Sequence, residues 1–371
     1  MIDFIPIQNY VFYFDVTILC MIIIAVWQCH SGSILRTETS NLNAMWGIMF
    51  SCLLIPYMGL RPIKSGYFGD TINYAKGFYG IQMSNESFVW NWSGEWFFEN
   101  LLSWFAINSD IHLFFLFCAF IYVSTFWLST IRIFKNYYYI PFLVILSMFT
   151  FWQYGVNGIR NGLGASIFIL AMTYVNKPMI MICLGLLACG CHNSIYLMAA
   201  SAGLAWFLKN SYYYLIGWLL SVGLSYIIGP KIQAVLASLN IFGDDNRLSD
   251  YLTGDAQTGE IIQTSMTFRW DFLAYSAMGV AVGYYFIFRR NFKDEYYHWI
   301  YNTYLATNAF WVLVIRAAYS NRFAQISWFI LPIVLIYPFL KQRFWPNHEK
   351  MLGYAIILFY VFTFYYNILK G

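Results

Sequence analysis

Five arginines stand at the ends of long apolar runs: Arg61, Arg160, Arg269, Arg316 and Arg322. A charge at mid-helix in a membrane costs about 2.5–3.5 kcal/mol on insertion scales, and less near the interface, so each needs a partner or a task. Guanidinium is planar, stays charged at any working pH and grips phosphate through paired hydrogen bonds. Such a set could hold a phosphorylated ligand and stabilise a departing phosphate. Close to these arginines in sequence or in expected topology stand Asp70, His192 and Asp271, which could move a proton.

Each constellation has a plainer reading beside the chemical one. Arg61 precedes Gly66-Tyr67-Phe68-Gly69-Asp70-Thr71-Ile72-Asn73-Tyr74. The glycines permit a tight turn, and Asp70 could cap a helix at Asn73 rather than act in a site. Arg61 is either a phosphate ligand or an interfacial anchor. In Gln153-Tyr154-Gly155-Val156-Asn157-Gly158-Ile159-Arg160-Asn161-Gly162, Gly158 and Gly162 are four apart and admit a close neighbour. Arg160 then opens a helix, where unpaired N–H groups and the dipole favour an anion. His192, in Cys191-His192-Asn193-Ser194, is a proton acceptor or a packing residue at a helix end. In Phe268-Arg269-Trp270-Asp271-Phe272, the arginine and the acid could pair with each other or with a ligand. Arg316 and Arg322 bracket a hairpin, and Arg322 opens the next helix.

The elements that must position these groups follow from composition. Hydrophobic residues make up 60% of the 371, aromatics 22% and charges only 10%, against roughly 25% charge in a soluble domain. Mean hydropathy is +0.56. No soluble core absorbs that much apolar surface. The sequence predicts an all-α, polytopic integral membrane protein forming a single transmembrane domain over 1–371. About twelve transmembrane helices are expected, at about 20 residues each, near 10–29, 44–60, 112–131, 138–155, 161–176, 178–191, 194–208, 212–229, 270–288, 297–315, 323–340 and 351–367. The first run lacks a basic leader and a small-residue cleavage site, so it is expected to be an uncleaved span. The seven cysteines read as buried small hydrophobes, since Cys189 and Cys191 lack metal-ligand spacing.

Short loops carrying Arg36, Arg132, Lys135, Lys177, Lys209, Arg289, Arg290, Lys293, Lys341, Arg343 and Lys350 alternate onto one side, expected to be cytoplasmic. Both termini, the long loops 61–111 and 230–269, and all five arginines then face outward. Most acids lie there too: Asp70, Glu86, Glu95, Glu99, Asp110, Asp244, Asp245, Asp250, Asp255 and Glu260. The first loop holds an aromatic helix over 96–105, with Glu99 and Ser103 on one face; it reads as interfacial or as plain packing. The run Gly243-Asp244-Asp245-Asn246-Arg247 does not fit a calcium loop and reads as solvated. There is no phosphate-binding Gly-rich loop, dinucleotide fingerprint, serine elbow or metal-ligand cluster, so no cofactor, metal or nucleic acid is expected.

These motifs resemble the EpsG-type family, polytopic proteins similar to the Wzy polymerases of O-antigen and capsule synthesis. The likeness rests on Arg61 followed by Gly69-Asp70-Thr71-Ile72-Asn73-Tyr74, and on Asn157-Gly158-Ile159-Arg160. It rests also on His192-Asn193-Ser194, Phe268-Arg269-Trp270-Asp271-Phe272 and Asn321-Arg322-Phe323, in order along the chain. Gly69 directly precedes Asp70, where the family tends to place a residue between. The resemblance implies joining of undecaprenyl-diphosphate-linked oligosaccharide repeats at the outer face of a bacterial inner membrane. It also implies a chain-length regulator and a flippase of the same pathway as partners. His192, Asp70 and Asp271 are then candidate catalytic groups, and the five arginines, converging in one outer cavity, candidate diphosphate ligands. The alternatives are an O-antigen ligase, with the same donor and another acceptor, and a flippase or transporter. A transporter should carry charges at mid-membrane depth, and Asp15 is nearly alone there.

Overall fold

A computed structural model describes residues 5–64, 66–84, 87–238, 267–317 and 320–369. Glu86, Tyr319 and the segment holding Asp244, Asp245, Arg247, Asp250, Asp255 and Glu260 lie outside the described residues. The described residues are helical and contain no strand. Seven helices among them are long and apolar enough to cross a membrane, and three shorter apolar helices accompany these. The chain is a multi-pass membrane protein.

Every expected span coincides with a helix or a broken pair of helices. The first three are α1 (Tyr10–His30), α2 (Thr37–Gly59) and α5 (Ile111–Phe134). At 1.5 Å per residue, 21 residues reach about 31 Å, one hydrocarbon thickness. Between α2 and α5 the first long loop folds into α3 (Thr71–Ser84) and α4 (Trp96–Asn108). The stretch 138–155 is broken into α6 (Tyr139–Leu146) and α7 (Phe151–Val156). There follow α8 (Ile159–Met172), α9 (Pro178–Cys191) and α10 (Ile195–Phe207), with the break expected at His192 present between α9 and α10. The remainder are α11 (Ser211–Ser238), α12 (Trp270–Tyr284), α13 (Glu295–Leu313), α14 (Asn321–Trp328), α15 (Leu331–Lys341) and α16 (His348–Phe364).

The chain forms two compact units, Met1–Ile195 with Phe339–Gly371, and Tyr196–Pro338. In the first, α1 packs on α16, α2 on α5, α5 on α8 and α8 on α9. Asp15, the isolated acid of α1, is buried and accepts a hydrogen bond from Asn367 Nδ2 at 3.2 Å, so the charge within the span has a partner. Gly162 fits the notch expected of it: a Cβ there would strike the Tyr154 carbonyl, because α7 folds back on α8.

In the second unit, α13, expected as a span near 297–315, carries polar side chains that lie inside protein. Asn308 accepts from Trp218 Nε1 at 2.7 Å and donates to Ser276 Oγ at 3.0 Å and Ser327 Oγ at 2.8 Å. One amide thus ties α13 to α11, α12 and α14, since a buried polar group must find its partners in the protein. The cysteine expectation needs correction. Cys29, Cys118, Cys189 and Cys191 are buried, but Cys20, Cys52 and Cys183 are exposed. A membrane helix presents apolar side chains outward to lipid, so an apolar residue there need not be buried.

Candidate functional site

The first unit gathers Arg61, Asp70, Arg160 and His192 around the first long loop. Arg61 follows α2 and is 0% exposed. Its Nη1 donates to the Met58 carbonyl at 2.6 Å; its Nη2 donates to Thr71 Oγ1 at 2.9 Å and to the Val156 carbonyl at 2.7 Å. The Phe115 ring lies 4.6 Å from its Cζ. One guanidinium therefore joins the end of α2, the start of α3 and the end of α7. Burial pushes its pKa down to about 9, still above neutral, so the group stays charged and holds carbonyls.

Asp70 stands directly before α3. Its N–H donates to Asn157 Oδ1 at 2.6 Å, and its Oδ1 accepts from Asn73 Nδ2 at 3.2 Å. Gly69 has φ +52°, and any Cβ there would collide with the Asn157 amide. The missing spacer before Asp70 thus coincides with a left-handed glycine seated on Asn157. These contacts pin the 157–160 turn to the first loop and fix where Arg160 begins α8.

Arg160 Nη1 donates to Glu95 Oε2 in a close ion pair. Its Cζ lies 5.9 Å from the Tyr74 ring. Burial opposes the Arg160 charge, while Tyr74 and Glu95 beside it more than compensate and raise its pKa above the ordinary range. The other Glu95 oxygen, Oε1, faces His192 Nε2 at 3.7 Å and accepts from the Asn193 N–H at 3.4 Å. His192 Nδ1 accepts from the Ser194 N–H at 3.0 Å. A nitrogen that accepts carries no proton, so in neutral His192 the proton sits on Nε2, toward Glu95. The Glu95 side chain is 10% exposed, while those of Arg160 and His192 are 30% and 28% exposed. The acid lies beneath and the two bases reach outward.

Sequence reasoning placed Glu95 among the outer acids but not in the site. It singled out Glu99 only for the helix face it shares with Ser103, and Glu99 is exposed. The signal lay in Gly94-Glu95-Trp96. Gly94 has φ +61°, which turns the chain so that Glu95, at the N-terminal boundary of α4, points inward.

The second unit carries the remaining candidates. Arg269 Nε donates to Asp271 Oδ1 at 3.0 Å and Nη2 to Oδ2 at 2.7 Å, a two-pronged pair about one-third exposed on each side (35% and 33%). The Arg269 Cζ also lies 3.6 Å from the Phe272 ring. Arg316 reaches the same segment, with its Cζ 5.3 Å from the Phe268 ring. Arg322 stands exposed in the first turn of α14, as expected of a residue that opens a helix.

The sequence profile of the EpsG family matches residues 45–371. The chain therefore belongs to the EpsG family, and the resemblance of its motifs reflects membership. No curated protein and no solved structure matches it.

Proposed function

We propose that this EpsG-family membrane protein is a polysaccharide polymerase that transfers a lipid-linked glycan onto the next lipid-linked repeat. The donor would be an undecaprenyl-diphosphate-linked chain and the acceptor a hydroxyl of a second unit, at the outer face of a bacterial inner membrane. The observation that carries this reading is Glu95 buried between Arg160 and His192.

The division of labour follows from that arrangement. The acceptor oxygen bonds to the anomeric carbon of the donor sugar as the bond from that carbon to the diphosphate oxygen breaks. The acceptor proton needs a base, and the leaving diphosphate needs a cation. The Ser194 N–H on Nδ1 sets the His192 proton on Nε2, where Glu95 Oε1 stands 3.7 Å away, and Nδ1 carries the lone pair. An acceptor hydroxyl that displaces the Ser194 N–H from Nδ1 can hand its proton there. Arg160 Nε, buried and without an acceptor in the described residues, and the positive end of α8 suit the diphosphate. Arg61 is a positioning residue in this scheme, because its donors hold the turn that presents Arg160. Asp271, gripped by Arg269, is a weaker candidate base than His192. Arg269, Arg316 and Arg322 remain proposed phosphate ligands of the second unit.

Glycan analysis of a deletion strain tests the reaction class. Loss of a polymerase leaves single repeats on the surface, loss of a ligase leaves none attached, and loss of a flippase leaves repeats accumulating inside. Single repeats are the expected result.

A further inference from the structure

Ahead of α4 the chain runs through Phe88-Val89-Trp90-Asn91-Trp92-Ser93-Gly94-Glu95-Trp96. Three indoles meet there. Trp90 and Trp92 lie 5.4 Å apart, Trp92 and Trp96 5.2 Å, and Trp90 and Trp96 6.1 Å between ring centroids. Trp92 is 73% exposed and Trp90 43%. Such a surface is costly in water unless something covers it.

The cluster is held from beneath. Asn100, buried in α4, accepts from the Asn91 N–H at 2.9 Å and donates to the carbonyls of Asn91 and Trp96. Asn91 in turn accepts from the Ser93 N–H at 3.0 Å and hydroxyl at 2.8 Å. Trp96 is seated on Gly190 of α9, where a Cβ would strike the indole. The Glu99 carboxylate stands over the Gly94 turn, 3.3 Å from where a Cβ would be. Trp96 therefore links the indoles to Glu95, its neighbour in sequence, and to the helix that ends at Cys191, just before His192.

From this geometry we infer that Trp90, Trp92 and Trp96 form a saccharide platform, on which pyranose rings of the lipid-linked chain stack beside the Glu95–Arg160–His192 group. This deepens the function proposed above and rests on it. A pyranose ring presents a face of C–H bonds with partial positive charge, which an indole face attracts. Its rim of hydroxyls needs acceptors, and Glu99 supplies one. Lipid is the poorer occupant. The cluster sits on non-helical backbone laced with polar side chains, and such backbone does not face hydrocarbon.

The test uses the full chain in lipid nanodiscs. The probe is the oligosaccharide freed by mild acid from the host's lipid-linked repeats, carrying neither lipid nor phosphate, and calorimetry measures its binding. Trp92→Ala should weaken binding about tenfold, and Trp92→Phe by no more than about threefold. Because Trp92 faces outward, its removal leaves the packing of α4 intact. The inference falls if the wild type does not bind the probe, or if Trp92→Ala binds as the wild type does. It also falls if brominated acyl chains quench the Trp92 emission, isolated as the difference between wild type and Trp92→Ala, which would place the indole in lipid. Normal polymer in Arg160→Ala would count against the phosphate reading and leave the platform standing, so the two failures are separable.

Discussion

Two arginine–carboxylate pairs among the candidate site residues are built on different scales. Arg269 and Asp271 are two residues apart and close a fork on one another at the start of α12. Arg160 and Glu95 are separated by 65 residues and meet only because α4 and α8 fold into the same unit. The local pair is about one-third exposed on both sides, and its carboxylate is taken up by both prongs of the arginine. In the distant pair the acid is buried, and its second oxygen is turned toward His192. A local pair at a partly open surface is worth about 0–1 kcal/mol. A buried carboxylate shared by a guanidinium and an imidazole couples two groups that could serve one reaction, and losing it leaves charge unpaired.

Substitutions can sharpen or break this contrast, and the largest effect belongs to the arginine that underlies the distant pair. Arg61→Ala strips the Met58 carbonyl of its Arg61 donor inside protein and leaves the Val156 carbonyl with Thr71 Oγ1 alone, at 2.8 Å. At about 1–3 kcal/mol for each group left unsatisfied, it should lower thermal stability and the yield of inserted protein. Unchanged melting would show that Arg61 is not a structural tie. Glu95→Gln keeps the shape of the side chain and removes its charge. It should cut polymer formation about a hundredfold, the scale of losing an electrostatic group at a reacting centre, with insertion intact.

Arg160→Ala and Arg322→Ala should each lower polymer formation by at least about tenfold, again with the protein inserted. Normal polymer in both would remove the phosphate-binding role. His192→Ala should cost about tenfold or more and abolish the fall in activity on the acid side of the pH profile, since no imidazole remains to be protonated. Persisting activity with an unchanged profile would move the base to a carboxylate. The smallest effect is expected of Asp271→Asn, within about threefold, as befits a partly exposed local pair. A loss as large as that of Glu95→Gln would erase the distinction between the pairs and return Asp271 to the reacting centre.

The sequence made the helices legible because an apolar run of span length has few other fates. The short loops and the break at His192 were legible for the same reason. The helix α13 was legible as a span, but the fate of its polar side chains was not. Its Asn302, Thr303, Thr307 and Asn308 are buried among other helices, and hydropathy cannot tell a polar face turned to protein from one turned to water. The exposed cysteines mark the same blind spot from the other side, since apolar character does not say whether lipid or protein will cover it.

Within the site, the motif residues were legible and their roles were not. Arg61 and Arg160 look alike in sequence, each a lone cation at the end of an apolar run. One is enclosed by carbonyls and the other is a third open beside a carboxylate. Glu95 gave almost no signal, because its partners are distant in sequence and its inward aim depends on the left-handed Gly94 next to it.

What the residues alone determined is the class of molecule, the run of helices and the EpsG family. These depend on composition and on neighbours along the chain, where transfer energies and short-range geometry decide. What only tertiary structure decided is which arginine is a tie and which faces outward, and that Glu95 stands between Arg160 and His192. Those outcomes turn on distance, burial and the direction of single lone pairs, which come into being only once segments far apart in sequence have packed.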